Sequence, residues 1–394
     1  MKKIKSLVFV SNYFNHHQRY LSDEFSKRLK DGYHFIATMP MEAERQALGW
    51  EKIDVNYVVY SYESQEEYQK SIDLINNADV VVFGSAPHYL IKERIESGKV
   101  VLRYSERPLK KGIEPLRYLP RLIKWRKQFP NNKQVYLLCA SAYTYADYKK
   151  FGMFKNRAFK WAYFTEVKQY ENVLEVINNK EINSLLWCGR FIDWKHTKDA
   201  LITAKRLKQD NYNFRLNVIG TGALEEQLKQ YVEQNDLMEN VVFLGSMSPE
   251  QVRAMMEKSE IFLFTSDRQE GWGAVLNEAM NSACAVVSSH AIGATPYLVK
   301  DGKNGLTYKS GDLENLYKKV KFLLDNKGDR QQIGENAYYT MLNEWSPEIA
   351  ATRVLELCEN ILNKQNTDLY QDGPCSRAGL VKNNWFSEKK NGAK

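Results

Sequence analysis

The sequence predicts an α/β protein built from two Rossmann-like halves, on three observations. Its 394 residues suffice for two or three domains, each able to bury a core. Short β-branched runs alternate with helical patterns along the chain, the mark of parallel βαβ units. Charge also divides it: residues 1–180 hold 30 Lys+Arg against 20 Asp+Glu, and residues 181–394 hold 26 against 28. Two halves with different partners are therefore expected. With 43% hydrophobic and 26% charged residues, and only 21 Gly and 10 Pro, a disordered or fibrous chain is excluded.

Taken in order, the strands of the first half are expected at 6–11, 34–39, 55–60, 80–84, 100–104 and 135–140, each a run rich in Val, Ile, Leu or Phe. Helical spacing of apolar residues falls between them at 18–30, 66–76, 89–97, 116–128 and 145–151. The basic start does not lead to a small-residue cleavage site, and the apolar stretch stops at Asn12. A first strand is read there rather than a signal peptide. Residues 171–180 are polar and carry no strand, which places a domain boundary near 165–182. Strands then recur at 184–188, 214–219, 241–244, 261–265, 285–288 and 305–308, with helices at 198–209, 224–235, 249–258, 274–282, 294–299 and 313–326. A helix over 346–363 is expected to pack back across the domain interface, followed by a polar, partly ordered tail over 364–394. No apolar run approaches the roughly 20 residues that cross a bilayer. Cys139, Cys188, Cys284, Cys358 and Cys375 have no metal-ligand spacing, so reduced cytoplasmic thiols and no structural zinc are expected.

The strongest functional signal is Glu270-Gly271-Trp272-Gly273-Ala274-Val275-Leu276-Asn277-Glu278, two carboxylates eight residues apart at a strand-to-helix junction. Glycines let the backbone approach a ligand, a helix start offers free N–H groups to phosphate, and carboxylates accept hydrogen bonds from vicinal hydroxyls. A ligand both phosphorylated and hydroxyl-rich, such as a sugar nucleotide, answers to that pattern. A second signal is Gly189-Arg190 followed by Lys195 after the strand at 184–188. Cations at the carboxyl end of a parallel strand face the ligand crevice, where they clamp a diphosphate and neutralise it as a leaving group. The turn Gly220-Thr221-Gly222 fails the dinucleotide fingerprint because Glu225 stands where the third glycine belongs. No two aspartates are separated by one residue, so a metal-independent donor site is expected.

The order Gly189-Arg190…Lys195, Val218-Ile219-Gly220-Thr221-Gly222, Val242-Phe243-Leu244-Gly245, Glu270…Glu278 resembles the retaining nucleotide-sugar glycosyltransferases of family 4, over about residues 184–310. The resemblance implies GT-B architecture, two Rossmann-like domains facing across a cleft. It implies acceptor binding by 1–170 and donor binding by 171–345. It also gives Glu270 the donor-sugar hydroxyls, Glu278 the ribose, Arg190 and Lys195 the diphosphate, and backbone near Gly245 and Ser246 the base. Val275 and Leu276 would offer N–H groups to phosphate. The chain departs from the family at Ala283-Cys284-Ala285-Val286, where Gly-x-Pro-Val is common, and at Gly293-Ala294-Thr295-Pro296, where Gly-Gly-x-x-Glu is common.

In the first half, Asn15-His16-His17-Gln18 replaces the family's usual Gly-Gly after strand one and resembles some bacterial polysaccharide-assembly members. His16 or His17 is a candidate contact to donor phosphate or acceptor hydroxyl. Glu106 stands where related enzymes place a residue beside the reacting carbon; an ion pair with Arg107 is the other reading. Ser85, His88, Ser141 and Tyr143 also follow strands and are pocket candidates.

Residues 107–133 hold nine Lys+Arg and one acid, interleaved with Leu116, Leu119, Ile123 and Trp125. Arg117, Arg121, Lys124, Trp125, Arg126 and Lys127 form a candidate patch for an anionic membrane surface. Nucleic acid is the rival partner, but no nucleic-acid motif is present, and Pro120 is expected to break or start the helix.

The expected protein is a cytoplasmic enzyme, peripheral on the inner face of the membrane. It moves a sugar, from a UDP-sugar by expectation, to a glycan acceptor carried on lipid. It needs no cofactor or metal. A UDP-sugar 2-epimerase and a non-catalytic sugar-nucleotide-binding protein are the alternatives.

Overall fold

The computed structural model describes residues 2–42 and 52–386. The chain forms two compact units, one from Met1–Glu166 with Glu344–Leu380, the other from Val167–Asn343 with Val381–Lys394. Both are α/β units around a parallel sheet, as the alternation predicts.

The sheet of the first unit comprises β1 (Leu7–Ser11), β2 (Tyr33–Ala37), β3 (Val58–Tyr60), β4 (Val80–Phe83), β5 (Val100–Ser105), β6 (Val135–Cys139) and β7 (Ala158–Lys160), in the order β3-β2-β1-β4-β5-β6-β7. Every residue of β1 and β4 is buried. Uninterrupted apolar runs such as Val80-Val81-Val82-Phe83 suit strands covered on both faces. The three-residue β7 is absent from the sequence expectation. Its outer edge is covered by part of the segment expected as a partly ordered tail: Cys375 N–H donates to Lys160 O at 2.9 Å, Lys160 N–H to Ser376 O at 2.8 Å, and Ala378 N–H to Ala158 O at 3.0 Å. Pairing an exposed edge removes a site of unwanted strand addition. Residues 387–394 of that tail lie outside the described residues.

The Pro347–Leu362 helix also belongs to the first unit, burying Ala350, Val354, Leu357 and Ile361. Ser346 caps it by accepting the Ile349 N–H. The expected helix at 89–97 is instead a 3₁₀ turn over His88–Ile91 and a short helix Lys92–Glu96.

The second unit contains β8 (Glu181–Cys188), β9 (Arg215–Ile219), β10 (Val241–Gly245), β11 (Ser259–Phe264), β12 (Ala285–Ser289) and β13 (Leu306–Tyr308), ordered β10-β9-β8-β11-β12-β13. Its core joins Leu185, Trp187, Leu216, Val218, Ile261 and Leu263 of the sheet to Leu201, Leu228 and Val320 of the covering helices. Helices Val173–Asn178 and Lys327–Asn343, absent from the sequence expectation, belong here. Gly334 lets the second of these lie against the chain before β12, since a Cβ there would stand 2.5 Å from Ala283 O. No helix among the described residues is long and apolar enough to cross a membrane.

Candidate functional site

Sequence order in the second sheet runs outward from its middle, β8 to β10 on one side and β11 to β13 on the other. Connections leaving β8 and β11 therefore diverge, and a crevice opens at their carboxyl ends. The loop after β8 supplies Arg190 and Lys195; the loop after β11 supplies Glu270. Residues 75 positions apart thus meet: Lys195 Nζ is bonded to Glu270 Oε2, both side chains being only 12% and 10% exposed. Ser266 Oγ donates to the same carboxylate oxygen at 3.0 Å. The ammonium lies 4.7 Å from the Trp194 ring centroid and 5.8 Å from that of Phe264. Its backbone is fixed as well, because Thr265 Oγ1 donates to Lys195 O at 2.8 Å while accepting from Trp187 Nε1 at 2.9 Å. Arg190 differs: it is exposed and makes no side-chain hydrogen bond or ion pair among the described residues.

Main-chain bonds stitch the neighbouring loops together. Gly189 N–H donates to Ile219 O at 3.0 Å, Phe191 N–H to Thr221 O at 2.8 Å, and Gly220 N–H to Gly245 O at 2.8 Å. Gly220 is required by that approach, for a Cβ on it would stand 1.9 Å from Gly189 O. Glu278, half-buried on the Val275–Asn281 helix, is near enough to the end of β8 for its charge to act on Cys188. Burial first, and then Glu278, push that thiol up to about 12, so it stays protonated. Two cations, two carboxylates and a glycine-lined backbone edge now share one end of one sheet.

Residues 170–340 match the family described as glycosyl transferases group 1. An uncharacterized glycosyltransferase of Methanocaldococcus jannaschii is 33% identical over 159 residues, 40% of this chain and 43% of that protein. The amylovoran biosynthesis glycosyltransferase AmsK of Erwinia amylovora is 28% identical over 182 residues, 45% of this chain and 44% of that one. The chain thus spans less than half the length of these two curated relatives. Among solved structures, Anabaena HepE in complex with UDP aligns at a TM-score of 0.65 and 15% identity, over 90% of this chain and all of that one. That likeness is one of fold, and the paired parallel sheets are those of GT-B proteins.

Within the matched residues, some expected donor contacts are placed differently. Trp272 is fully buried, its Nε1 donating to Asn277 Oδ1 at 2.9 Å, so its ring anchors the loop instead of facing a ligand. The Leu276 N–H is committed to Gly273 O at 3.0 Å, and the leucine side chain is core. Gly271 is buried, while Ala274 and Val275 are half-buried at the helix start. Gly273, at φ 93°, abuts the Phe264 ring so closely that a Cβ would stand 2.5 Å from it. Ser246 is exposed just beyond β10, and Gly245 has φ 69°. Ala283, where the family commonly has glycine, is itself left-handed at φ 54°.

In the first unit, Asn15 caps the helix His16–Leu29 by accepting the His17 N–H at 2.9 Å, which sets both histidines at the helix start beyond β1. Their ring centroids lie 4.0 Å apart. Glu106 and Arg107, for which a mutual ion pair is one of the two readings, have separate partners. Arg107 bonds the buried Asp147 at 3.2 Å, whereas Glu106 bonds Lys110 and accepts from Tyr163 Oη at 2.7 Å. Ser141 and Tyr143 are core residues, and Ser85 is exposed. His88 is taken up by structure, its Nε2 lying 2.7 Å from Gln128 O at the end of a helix.

That helix, Pro115–Gln128, carries the basic patch and runs through Pro120 unbroken. Proline removes one N–H, and the Leu116 carbonyl it would have bonded belongs to a residue 92% exposed, where water serves. Leu119 and Ile123 are exposed as well, at 60% and 61%. Trp125 turns inward, its indole packing 5.0 Å from Tyr148 and 4.8 Å from Phe151, while Arg126 stays exposed with its guanidinium donating to Phe151 O. Arg117 pairs with Glu114 at 2.8 Å but remains 70% exposed, Lys124 and Lys127 are exposed, and Arg121 lies 5.5 Å over the Trp125 ring.

Proposed function

We propose that this chain is a retaining glycosyltransferase that moves a sugar from a UDP-sugar to a lipid-linked glycan acceptor at a membrane surface, in polysaccharide assembly. The observation that carries the reading is the Lys195–Glu270 pair beside the unpartnered Arg190 at the carboxyl edge of β8 and β11. In an unliganded site the two charges satisfy each other. When donor binds, Lys195 and Arg190 take the diphosphate and disperse the charge that develops as the glycosyl bond breaks. Glu270, held by Ser266, accepts the sugar hydroxyls. Glu278 takes the ribose, following the family resemblance, which is also the ground for retention. Protein cations supply the electrostatic stabilisation, so the proposed reaction needs no metal. Support for the nucleotide comes from the UDP held by HepE, and for the pathway from the amylovoran relative.

The exposed Leu116, Leu119 and Ile123, flanked by Arg117, Lys124 and Lys127, support peripheral attachment to anionic lipid on the cytoplasmic side. The deciding experiment measures nucleoside diphosphate release from a panel of UDP- and GDP-sugars in the presence of a metal chelator, with and without bacterial lipid extract. Release from one UDP-sugar that requires the extract is expected. Release without any acceptor or product glycan, or nucleotide binding without release from any donor, would sink the transferase reading.

A further inference from the structure

Three strands of the first sheet send side chains to one place beyond their carboxyl ends. His17 follows β1, Tyr104 and Glu106 lie at and beyond the end of β5, and Tyr163 follows β7. The Tyr163 hydroxyl donates to Glu106 Oε1 at 2.7 Å, and Lys110 Nζ is bonded to Glu106 Oε2. The Tyr163 ring lies 29° from coplanar with the His17 ring at 6.2 Å, and Tyr104 meets it edge-on at 5.8 Å.

We propose that Glu106 is the hydroxyl-binding group of a hexose subsite and that Tyr163 and Lys110 are its positioning residues. The inference rests on the transferase reading and adds to it the groups that hold the acceptor sugar. A carboxylate has about four lone-pair directions, of which these two donors use one on each oxygen. Fixing both oxygens sets the carboxylate plane, and the remaining directions, on a side chain 30% exposed, suit two adjacent hydroxyls. Lys110 offsets the carboxylate charge, so the ligand that fits is a neutral sugar. The aromatic edges beside it suit the C–H face of a pyranose. Burial, with the Tyr104 and Glu106 charges adding to it, holds the Tyr163 phenol well above its ordinary pKa, which keeps it a donor throughout the working range.

The same bonds would also serve merely to tie the loop after β7 to that after β5, and the test separates the two roles. Saturation-transfer NMR on the full chain, with methyl glucoside, galactoside and mannoside as probes, measures hexose binding; calorimetry on the same samples measures UDP binding. At least one hexoside is expected to bind the wild type. Tyr163→Phe, which keeps the ring, and Lys110→Met should each weaken it about fivefold, the worth of one hydrogen bond, and Glu106→Gln should weaken it further. UDP affinity should stay within about twofold in all three. Hexoside affinity unchanged by Tyr163→Phe and Lys110→Met would overturn the proposal whatever their melting temperatures, as would a wild type that binds no hexoside. Failure of the wild type to bind UDP would instead remove the transferase reading, while a hexoside loss in the variants would still establish the subsite.

Discussion

Gly220 and Gly245 are both left-handed glycines at the edge of the same sheet, yet only one is confined. A methyl group on Gly220 would collide with the Gly189 carbonyl, whereas one on Gly245 meets nothing within 4 Å. Gly245→Ala should therefore cost only the backbone term of about 1–2 kcal/mol. Gly220→Ala should exceed about 4 kcal/mol, because the loops that carry Arg190 and Lys195 must move apart. Urea denaturation of the two variants reads the difference, and equal losses would contradict the close approach. The Lys195–Glu270 pair gives a second expectation at this scale. Glu270→Gln leaves a nearly enclosed ammonium without its counter-charge and should cost about 2–3 kcal/mol, while adding Lys195→Met should restore most of that without restoring transfer. A double-mutant cycle followed by denaturation checks it. Residues of this kind were legible because function constrains their spacing: two glutamates eight apart, an arginine and a lysine five apart. Tyr163 was not, since a single tyrosine after a three-residue strand has no pattern, and only the fold shows that it reaches Glu106.

Among the elements, the Pro115–Gln128 helix shows what a helical wheel can and cannot decide. Spacing alone identified its cations and its apolar stripe, but not which apolar residues the neighbouring Phe151 and Tyr148 would claim. Leu116, Leu119 and Ile123 remain outside, so replacing all three by Ser should abolish co-sedimentation with anionic vesicles and shift the melting temperature by less than about 2 °C. Trp125→Ala should do the reverse, costing about 2–3 kcal/mol by unpacking the helix while the exposed apolar stripe is retained. Strands such as β1 and β4 were plain in the sequence because doubly covered strands are continuous apolar runs. The Lys327–Asn343 helix was hidden, its two glycines and scattered apolar positions giving no clear 3.6-residue stripe. Gly334 is there for close packing against Ala283, a long-range demand that no local window contains.

For the molecule as a whole, three histidines, His34 and His88 half-buried and His290 buried, set an acid boundary. Burial pushes His34, His88 and His290 below the ordinary 6.5. His290 shows why charging it is resisted: its Nδ1 accepts the Ser310 N–H at 2.9 Å, and its Nε2 faces the Asn383 carbonyl at 3.1 Å, which leaves no room for a second ring proton. Unfolded chains bind these protons near 6.5 and the folded protein only at lower pH, so the unfolded state holds more protons between the two values. Stability should be level above about pH 7 and fall as the pH drops from 6.5 towards 5, before most carboxylates titrate, which a melting-temperature series would show. The division of the chain has a different consequence, in time. The first unit is closed by the Pro347–Leu362 helix and by the strip that covers β7, yet both are made only after residues 167–343, the main body of the second unit, have been synthesised. At about 5–20 residues per second, a ribosome needs roughly 10–35 s to pass from residue 166 to residue 344. During that interval the nascent first unit waits with an apolar face uncovered while the main body of the second is free to fold, and the second in turn receives its last segment, from Val381 on, only after the first is closed, so each unit is completed by chain made after the body of the other.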